Sequence, residues 1–410
     1  MGRELSTEEG ERLKLIYPGR INGDSGPDFR DAVIIMNETG LVKGDVEIHI
    51  KSSDWYSHGH HDDPEYNGVV LHVVRWHDCN STLRQNGKPV PVVYLSPKQW
   101  HRTHHLPCFQ AVRRKDRQCL RSLLDAAGEE RFRQKAALFQ ARLEQEEAGQ
   151  VLYQGMMRAL GYSKNTEPFE ELAHKVPLNF IEKIKPKGSL VLKQAWLLGI
   201  AGLLSSQRLQ GKFPKEVWEL KQVWQSVGEK AETMDKNDWR ISHVYPNNSP
   251  VRRIVAQSYI LQRYCKEGLL QGMLQLVGET PSIAGYRLED GLIVTGEGYW
   301  QEHFDFGVRS RVRNSALLGH GKAGEIVVNI ILPFASAWGE IANEPELGEG
   351  AINLYVHYPR LAENEITSHM AKQLCLQDVA GFTACHQQGL IHIFRNYCRE
   401  GKCSRCPLAN

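Results

Sequence analysis

GDVEIHIK (residues 44–51) and VVLHVVRW (residues 69–76) flank a polar stretch, SSDWYSHGHHDDPEYNG (residues 52–68). The first alternates strictly, with Val46, Ile48 and Ile50 on one side and Asp45, Glu47, His49 and Lys51 on the other. That is the period of a half-exposed strand. The second is an almost unbroken apolar run, as in a strand covered on both faces. Upstream, Leu13–Tyr17 and Ala32–Met36 are short apolar runs separated by the turn-rich INGDSGPD of Ile21–Asp28. Downstream, PVPVVYL (Pro89–Leu95) closes the series with prolines that suit an edge. Residues 1–107 therefore read as a mixed sheet domain.

Beyond Pro107 the pattern turns helical. Residues 110–160 are rich in Arg, Gln, Glu, Ala and Leu, all good helix formers. Ser189–Gln207 and Val251–Leu276 continue in the same style, and a hairpin is expected around Asp290–Phe306. Further helices are expected near Ser315–Trp338, Glu363–Leu376 and Thr383–Tyr397. The expected class is α+β: a sheet domain over 1–107, a helical domain over 108–285, and a mainly helical region over 286–410 ending in a cysteine cluster.

The 410 residues carry 50 Lys+Arg against 48 Asp+Glu, with 41% hydrophobic residues. This is a globular composition and excludes disorder over most of the chain. The balanced charge leaves local basic patches, and hence nucleic acid, open. The start, MGRELSTEEGERLK, is charged and lacks a secretory signal. The most apolar run, Ala195–Leu204, is half of the roughly 20 residues a membrane span requires. No membrane association is expected. The odd count of 9 Cys points to a reducing, cytoplasmic setting in which thiols are free or hold metal.

Asp28 follows a Gly-Pro turn, and Glu47 lies on the alternating strand. Two carboxylates on adjacent strands meet the minimum that Mg²⁺ or Mn²⁺ requires, water and substrate oxygens supplying the rest. His49 and Lys51 project from the same face as Glu47, about 7 and about 13 Å further along. The chemistry implied is metal-assisted hydrolysis of a phosphodiester, with Asp28 and Glu47 as metal ligands and His49 or Lys51 assisting water. His58, His60 and His61, with Asp62 and Asp63, follow directly, and His72 interrupts the apolar run. These residue types suit Zn²⁺, Mn²⁺ or Fe²⁺. A role as ligands, as contacts to phosphate or as support for the carboxylate site is open at this point.

Pro27-Asp28 and Glu47-Ile48-His49 together resemble the PD-(D/E)xK nuclease superfamily, in which an acid, any residue and then lysine follow the PD element. Here His49 stands in the lysine position, and the nearest lysine is Lys51. The resemblance implies a restriction-endonuclease-like sheet and a DNA or RNA substrate. It also implies a helix ahead of the first strand, for which Glu8, Glu9 and Glu11 are the available acids. The stretches PGRIN, GPDF, GDVEIH, SSDW, HGHHDDPEYNGVVLHVV, QQGLIHI and CREGKCSRCP also resemble, over most of the chain, a bacterial family defined as a domain of unknown function.

Cys398-x4-Cys403-x2-Cys406-Pro407 has metal-ligand spacing. A zinc ion or an iron–sulfur cluster is expected there, with a fourth ligand from elsewhere. On one continuous helix, Cys385 lies about 20 Å from Cys398 and His392 about 9 Å. Cys108 is a candidate from a distance. Some iron–sulfur nucleases of the superfamily it resembles join one distant Cys to three near the C-terminus. Arg113, Arg114, Lys115, Arg117 and Arg121, then Arg252-Arg253, then Arg309, Arg311 and Arg313 are candidate phosphate contacts. Two further expectations compete with the nuclease: a nucleic-acid-binding scaffold with a decayed site, and a His/Asp metallohydrolase of a small molecule.

Overall fold

A sheet of seven strands forms the N-terminal part in a computed structural model of the protein. The structure describes residues 5–22, 25–37, 40–79, 81–95, 108, 115–162, 164–184, 189–204, 214–228, 230–241, 248–310, 316–376 and 381–408. The strands are β1 (Leu5–Ser6), β2 (Arg12–Tyr17), β3 (Arg20–Ile21), β4 (Phe29–Met36), β5 (Gly40–Lys51), β6 (Val69–Trp76) and β7 (Val92–Tyr94). Their order is β1-β2-β4-β5-β6-β7, with β3 beside β4. Neighbours are antiparallel up to β5, while β5, β6 and β7 are parallel. The fold is α+β, as the patterning indicates, and β6 occupies the apolar run of residues 69–76.

Parallel neighbours cannot be joined by a tight turn, so the chain must cross over one face between β5 and β6. Residues 52–68 make that crossing with one short helix, α1 (Asp54–Ser57), and a 3-10 turn, Pro64–Gly68. Trp55 and Tyr66 are buried beneath it with Val69 and Val90. The opposite face of the sheet holds the main apolar layer, built from Leu13, Ala32, Ile34, Val46, Leu71 and Val93.

One expectation holds at Val46, 5% exposed, and is inverted beyond it. The alternation of β5 suggests Ile48 and Ile50 inside and the polar side outside. Instead Ile48 and Ile50 are 46% and 60% exposed, while Glu47 is 5% exposed. The crossover covers the polar face, so the burial of β5 follows the connection rather than the hydropathy.

The chain forms two compact units, one from Met1–Gly128, Glu363–Gly381 and His386–Asn410, the other from Glu129–Ala362 with Phe382–Cys385. The second is built largely of helices. Its core includes Ala148–Leu160 and Pro250–Arg263, each buried along most of its length. His320–Ile341 is long and apolar enough to cross a membrane, and 67% of that window is buried inside the protein. Around residues 290–306 the structure has two short ladders, the second of which is a hairpin that overlaps the end of the expected stretch. Val294–Thr295 pairs with Ala316–Leu318, and His303–Asp305 with Val308–Arg309.

Arg252 and Arg253 are buried rather than available to phosphate. Arg252 donates to the carbonyls of His303 and Ala316 at 2.8 and 3.2 Å, and Arg253 to Tyr162 Oη at 3.0 Å and Asn248 Oδ1 at 2.8 Å. They close helix Pro250–Arg263 against the small ladders. Arg117 and Arg309 are exposed, whereas Arg113, Arg114, Arg311 and Arg313 lie outside the described residues.

Candidate metal centre

Asp28 and Glu47 meet at the junction of β4 and β5. Phe29 is paired with Val46, which brings the preceding Asp28 beside Glu47. Asp28 N–H donates to Glu47 Oε2 at 2.9 Å, and Asp28 Oδ2 accepts from the Ile48 N–H at 3.0 Å. A bulge between Phe29 and Ala32 sets this approach. Asp31 adopts a left-handed φ of +60° there, with its N–H donating to Asp45 Oδ1 at 3.1 Å. Bulges re-aim side chains in this way beside functional sites.

Two imidazoles, His49 and His60, meet the other oxygen of Glu47, and a third, His58, joins them through His49. Gly59, at φ +79°, turns the chain between His58 and His60 so that both lie over β5. A glycine suits this turn because the left-handed region penalises a Cβ. His49 Nε2 and His60 Nε2 are each 3.3 Å from Glu47 Oε1, and His49 Nε2 is 3.1 Å from His58 Nδ1. One nitrogen from each of His49, His58 and His60 lies within 4.8 Å of the others. Ligands about 2.0–2.1 Å from one tetrahedral ion sit about 3.3 Å from one another. The observed separations of 3.1 and 3.3 Å match that edge.

Supporting contacts fix the rings. His72, fully buried on β6, places its Nε2 2.9 Å from His49 Nδ1, which leaves His49 Nε2 toward the cluster. His60 stacks on Tyr66 with centroids 3.8 Å apart and meets Trp55 edge-on at 5.4 Å. Trp55 is anchored by its Nε1–H donating to the Leu83 carbonyl at 2.8 Å. His60 Nε2 is buried and makes no hydrogen bond despite its closeness to Glu47. A buried nitrogen of this kind calls for a partner, and a metal ion would supply one.

Burial dominates the electrostatics. It pushes Glu47 up to about 7, against the lowering effect of the Asp28 N–H, with the Asp28 charge adding to the rise. Burial, then neighbouring imidazoles, hold His60 down at about 4 and His72 at about 3, and lower His49 as well. Tyr66 is raised to about 12 by burial and then by Glu47. These imidazoles are neutral near pH 7, the form that ligates metal.

Of the four residues expected to carry catalysis, Asp28, Glu47 and His49 are together. Lys51 is exposed, and its charge acts on Asp78. Asp78 in turn caps the crossover, accepting from Ser53 N–H at 2.9 Å. Among the loop histidines, His61 lies by Asp62 at 3.2 Å and Tyr56, away from the three. Glu8 sits 3.8 Å from His77 and Glu11 accepts from Asn37, so neither joins the centre. His72 takes the supporting role that its place in the apolar run left open, while the Trp55–Tyr66 cover is what residue patterning passes over. The signal available was a histidine in an otherwise apolar strand.

The chain matches, over residues 2–364, the family described as "Protein of unknown function (DUF2851)". It belongs to that family. No curated protein and no solved structure matches this DUF2851 member. The matched span contains every residue of the histidine centre and ends ahead of the terminal cysteines at 398, 403 and 406.

Proposed function

We propose that this protein is a metal-dependent hydrolase that cleaves phosphodiester bonds in DNA or RNA at the centre formed by His49, His58, His60 and Glu47. The observation that carries the reading is the gathering of one nitrogen from each of His49, His58 and His60 within 4.8 Å of one another, with Glu47 Oε1 3.3 Å from His49 Nε2 and His60 Nε2. Imidazole donors favour Zn²⁺ and accept Mn²⁺ less tightly, in preference to Mg²⁺. A bound ion of this kind polarises a phosphoryl oxygen and makes its water acidic. Asp28 orients Glu47 through its backbone N–H, and His72 orients His49. Trp55 and Tyr66 keep water from the inner side of His60. The phosphodiester substrate is supported by the likeness of Pro27-Asp28 and Glu47-Ile48-His49 to the PD-(D/E)xK pattern.

The protein is incubated with Mn²⁺ and labelled single- and double-stranded DNA and RNA. Cleavage that falls about 100-fold or more in Glu47→Gln and His60→Ala is expected. Absence of cleavage of every polymer, or cleavage unchanged in both variants, refutes the reading. A second reading, a metallohydrolase of a small molecule, is favoured by one observation: the Asp28 carboxylate is engaged by the Ile48 N–H rather than turned to the imidazoles. Turnover of a small phosphodiester without polymer cleavage selects it. Salt-dependent nucleic-acid binding without turnover selects the scaffold.

A further inference from the structure

Four protein ligands close a tetrahedral ion, and a closed set marks a structural site, whereas a catalytic ion keeps one position for water or substrate. The hydrolytic reading of the centre, on which this inference rests, therefore requires one of His49, His58, His60 and Glu47 to give way. Among the described residues the three imidazoles are the group whose ligand atoms gather closely enough for an ion, and Cys398, Cys403 and Cys406 form no such group. The four residues of the centre are not held alike.

Glu47 Oε1 is shared by His49 Nε2 and His60 Nε2, each at 3.3 Å, and the three side chains are at most 10% exposed. Each has a second anchor. The Asp28 N–H holds Glu47 Oε2, His72 Nε2 holds His49 Nδ1, and the ring of Tyr66 lies against His60. His58 differs on every count. It is exposed, its Nδ1 meets only His49 Nε2, at 3.1 Å, and its ring partners among the described residues are His49 and His60, edge-on at 4.8 and 5.5 Å. The backbone beneath it is fixed: the N–H groups of His58, Gly59 and His60 donate to the carbonyls of Asp54, Tyr56 and Trp55 at 2.9, 3.0 and 3.1 Å. Nothing lies within 4 Å of a Cβ built at Gly59, so the position beside His58 faces open space. His58 can therefore leave by rotating its own side chain, a fast motion for an exposed residue, while the turn that carries His60 stays in place.

We propose that His58 is the exchangeable ligand of the centre: it closes the ion at rest and turns away when water or a phosphodiester oxygen arrives, leaving His49, His60 and Glu47 in place. Two imidazoles and one carboxylate are a ligand set of catalytic zinc, with the fourth position open. In the exchange one metal–nitrogen bond breaks and one metal–oxygen bond forms. The imidazole leaves neutral, so no proton moves. The vacated position opens on the solvent side, where His58 stood, while Trp55 and Tyr66 stay packed against His60. Substrate thus reaches the ion from the exposed edge of the crossover, and the resting centre carries no activated water.

The test uses full-length protein, isotopically labelled in its histidine ring nitrogens, loaded with Zn²⁺ and titrated with dimethyl phosphate. Nitrogen NMR is expected to show His49, His58 and His60 on the zinc at rest, and His58 alone released once dimethyl phosphate saturates. By calorimetry, His58→Ala is expected to lose zinc affinity only as far as loss of a supporting group costs, about 10–100-fold, and His60→Ala to lose more. Zinc-loaded His58→Ala is expected to bind dimethyl phosphate more tightly than the wild type. Should His58→Ala misfold, the NMR of the unaltered protein decides. Zinc that never binds removes the metal centre and this inference with it. Zinc that binds while dimethyl phosphate does not, or while His58 stays on it at saturation, or while His49 or His60 leaves instead, overturns the exchange and leaves the centre standing.

Discussion

Glu47 and the imidazoles around it titrate in opposite senses in the metal-free protein. Glu47 is raised from 4.5 to about 7, so its contribution to stability is present at low pH and is lost as pH rises through that range. His60 and His72 are lowered from 6.5 to about 4 and about 3. The unfolded chain takes up those protons first, and stability is lost as pH falls below 6.5. The two effects oppose each other across mildly acid pH. In Glu47→Gln only the histidine effect remains. Urea unfolding of the metal-free protein at a series of pH values is therefore expected to show a steeper acid loss in Glu47→Gln than in the wild type. Parallel profiles would show that these groups are not buried together. His72→Gln leaves all three imidazole ligands in place but frees the ring of His49. Its metal affinity, measured by calorimetry, is expected to fall about 10–100-fold.

The crossover is the element that makes the site. Gly59 has φ +79° with nothing within 4 Å of a Cβ built on it, so Gly59→Ala is penalised by conformation rather than by crowding. A stability loss of about 1–2 kcal/mol is expected, with weakened metal binding, since His58 and His60 flank that turn. A variant with unaltered affinity would detach the turn from the centre. The strands were legible because short β-branched runs between Gly, Pro and Asp clusters have few other conformations: β2, β4, β5, β6 and β7 fall within or around the stretches their patterns mark. Asp28 beside Glu47 was legible too, from a turn followed by an alternating strand. The buried face of β5 beyond Val46 was not. Alternation fixes which residues share a face, while the path of residues 52–68 chooses which face is covered. His58 and His60 sit in a stretch with no period, so their approach to His49 follows from the parallel pairing of β5 and β6.

Across the whole molecule, the chain's ends belong to one unit, since Glu363–Gly381 and His386–Asn410 group with Met1–Gly128. Local patterning carries no trace of such a return, because the contacts join residues more than 250 apart, as between Gln373 and Cys108. The proposed histidine centre lies in this unit. Chelation is therefore expected to act on it selectively. Amide exchange should quicken in β4, β5 and β6, while helices Ala148–Leu160 and Pro250–Arg263 of the other unit keep their protection. Uniform loosening of both units would contradict this division. The most direct measurement is the position of the ion itself, from anomalous diffraction at the manganese edge on crystals grown with Mn²⁺. The expected result is one strong peak in contact with His49 Nε2, His58 Nδ1, His60 Nε2 and Glu47 Oε1. A centre left without a peak at saturating Mn²⁺, with the imidazoles still hydrogen-bonded to one another, would contradict it.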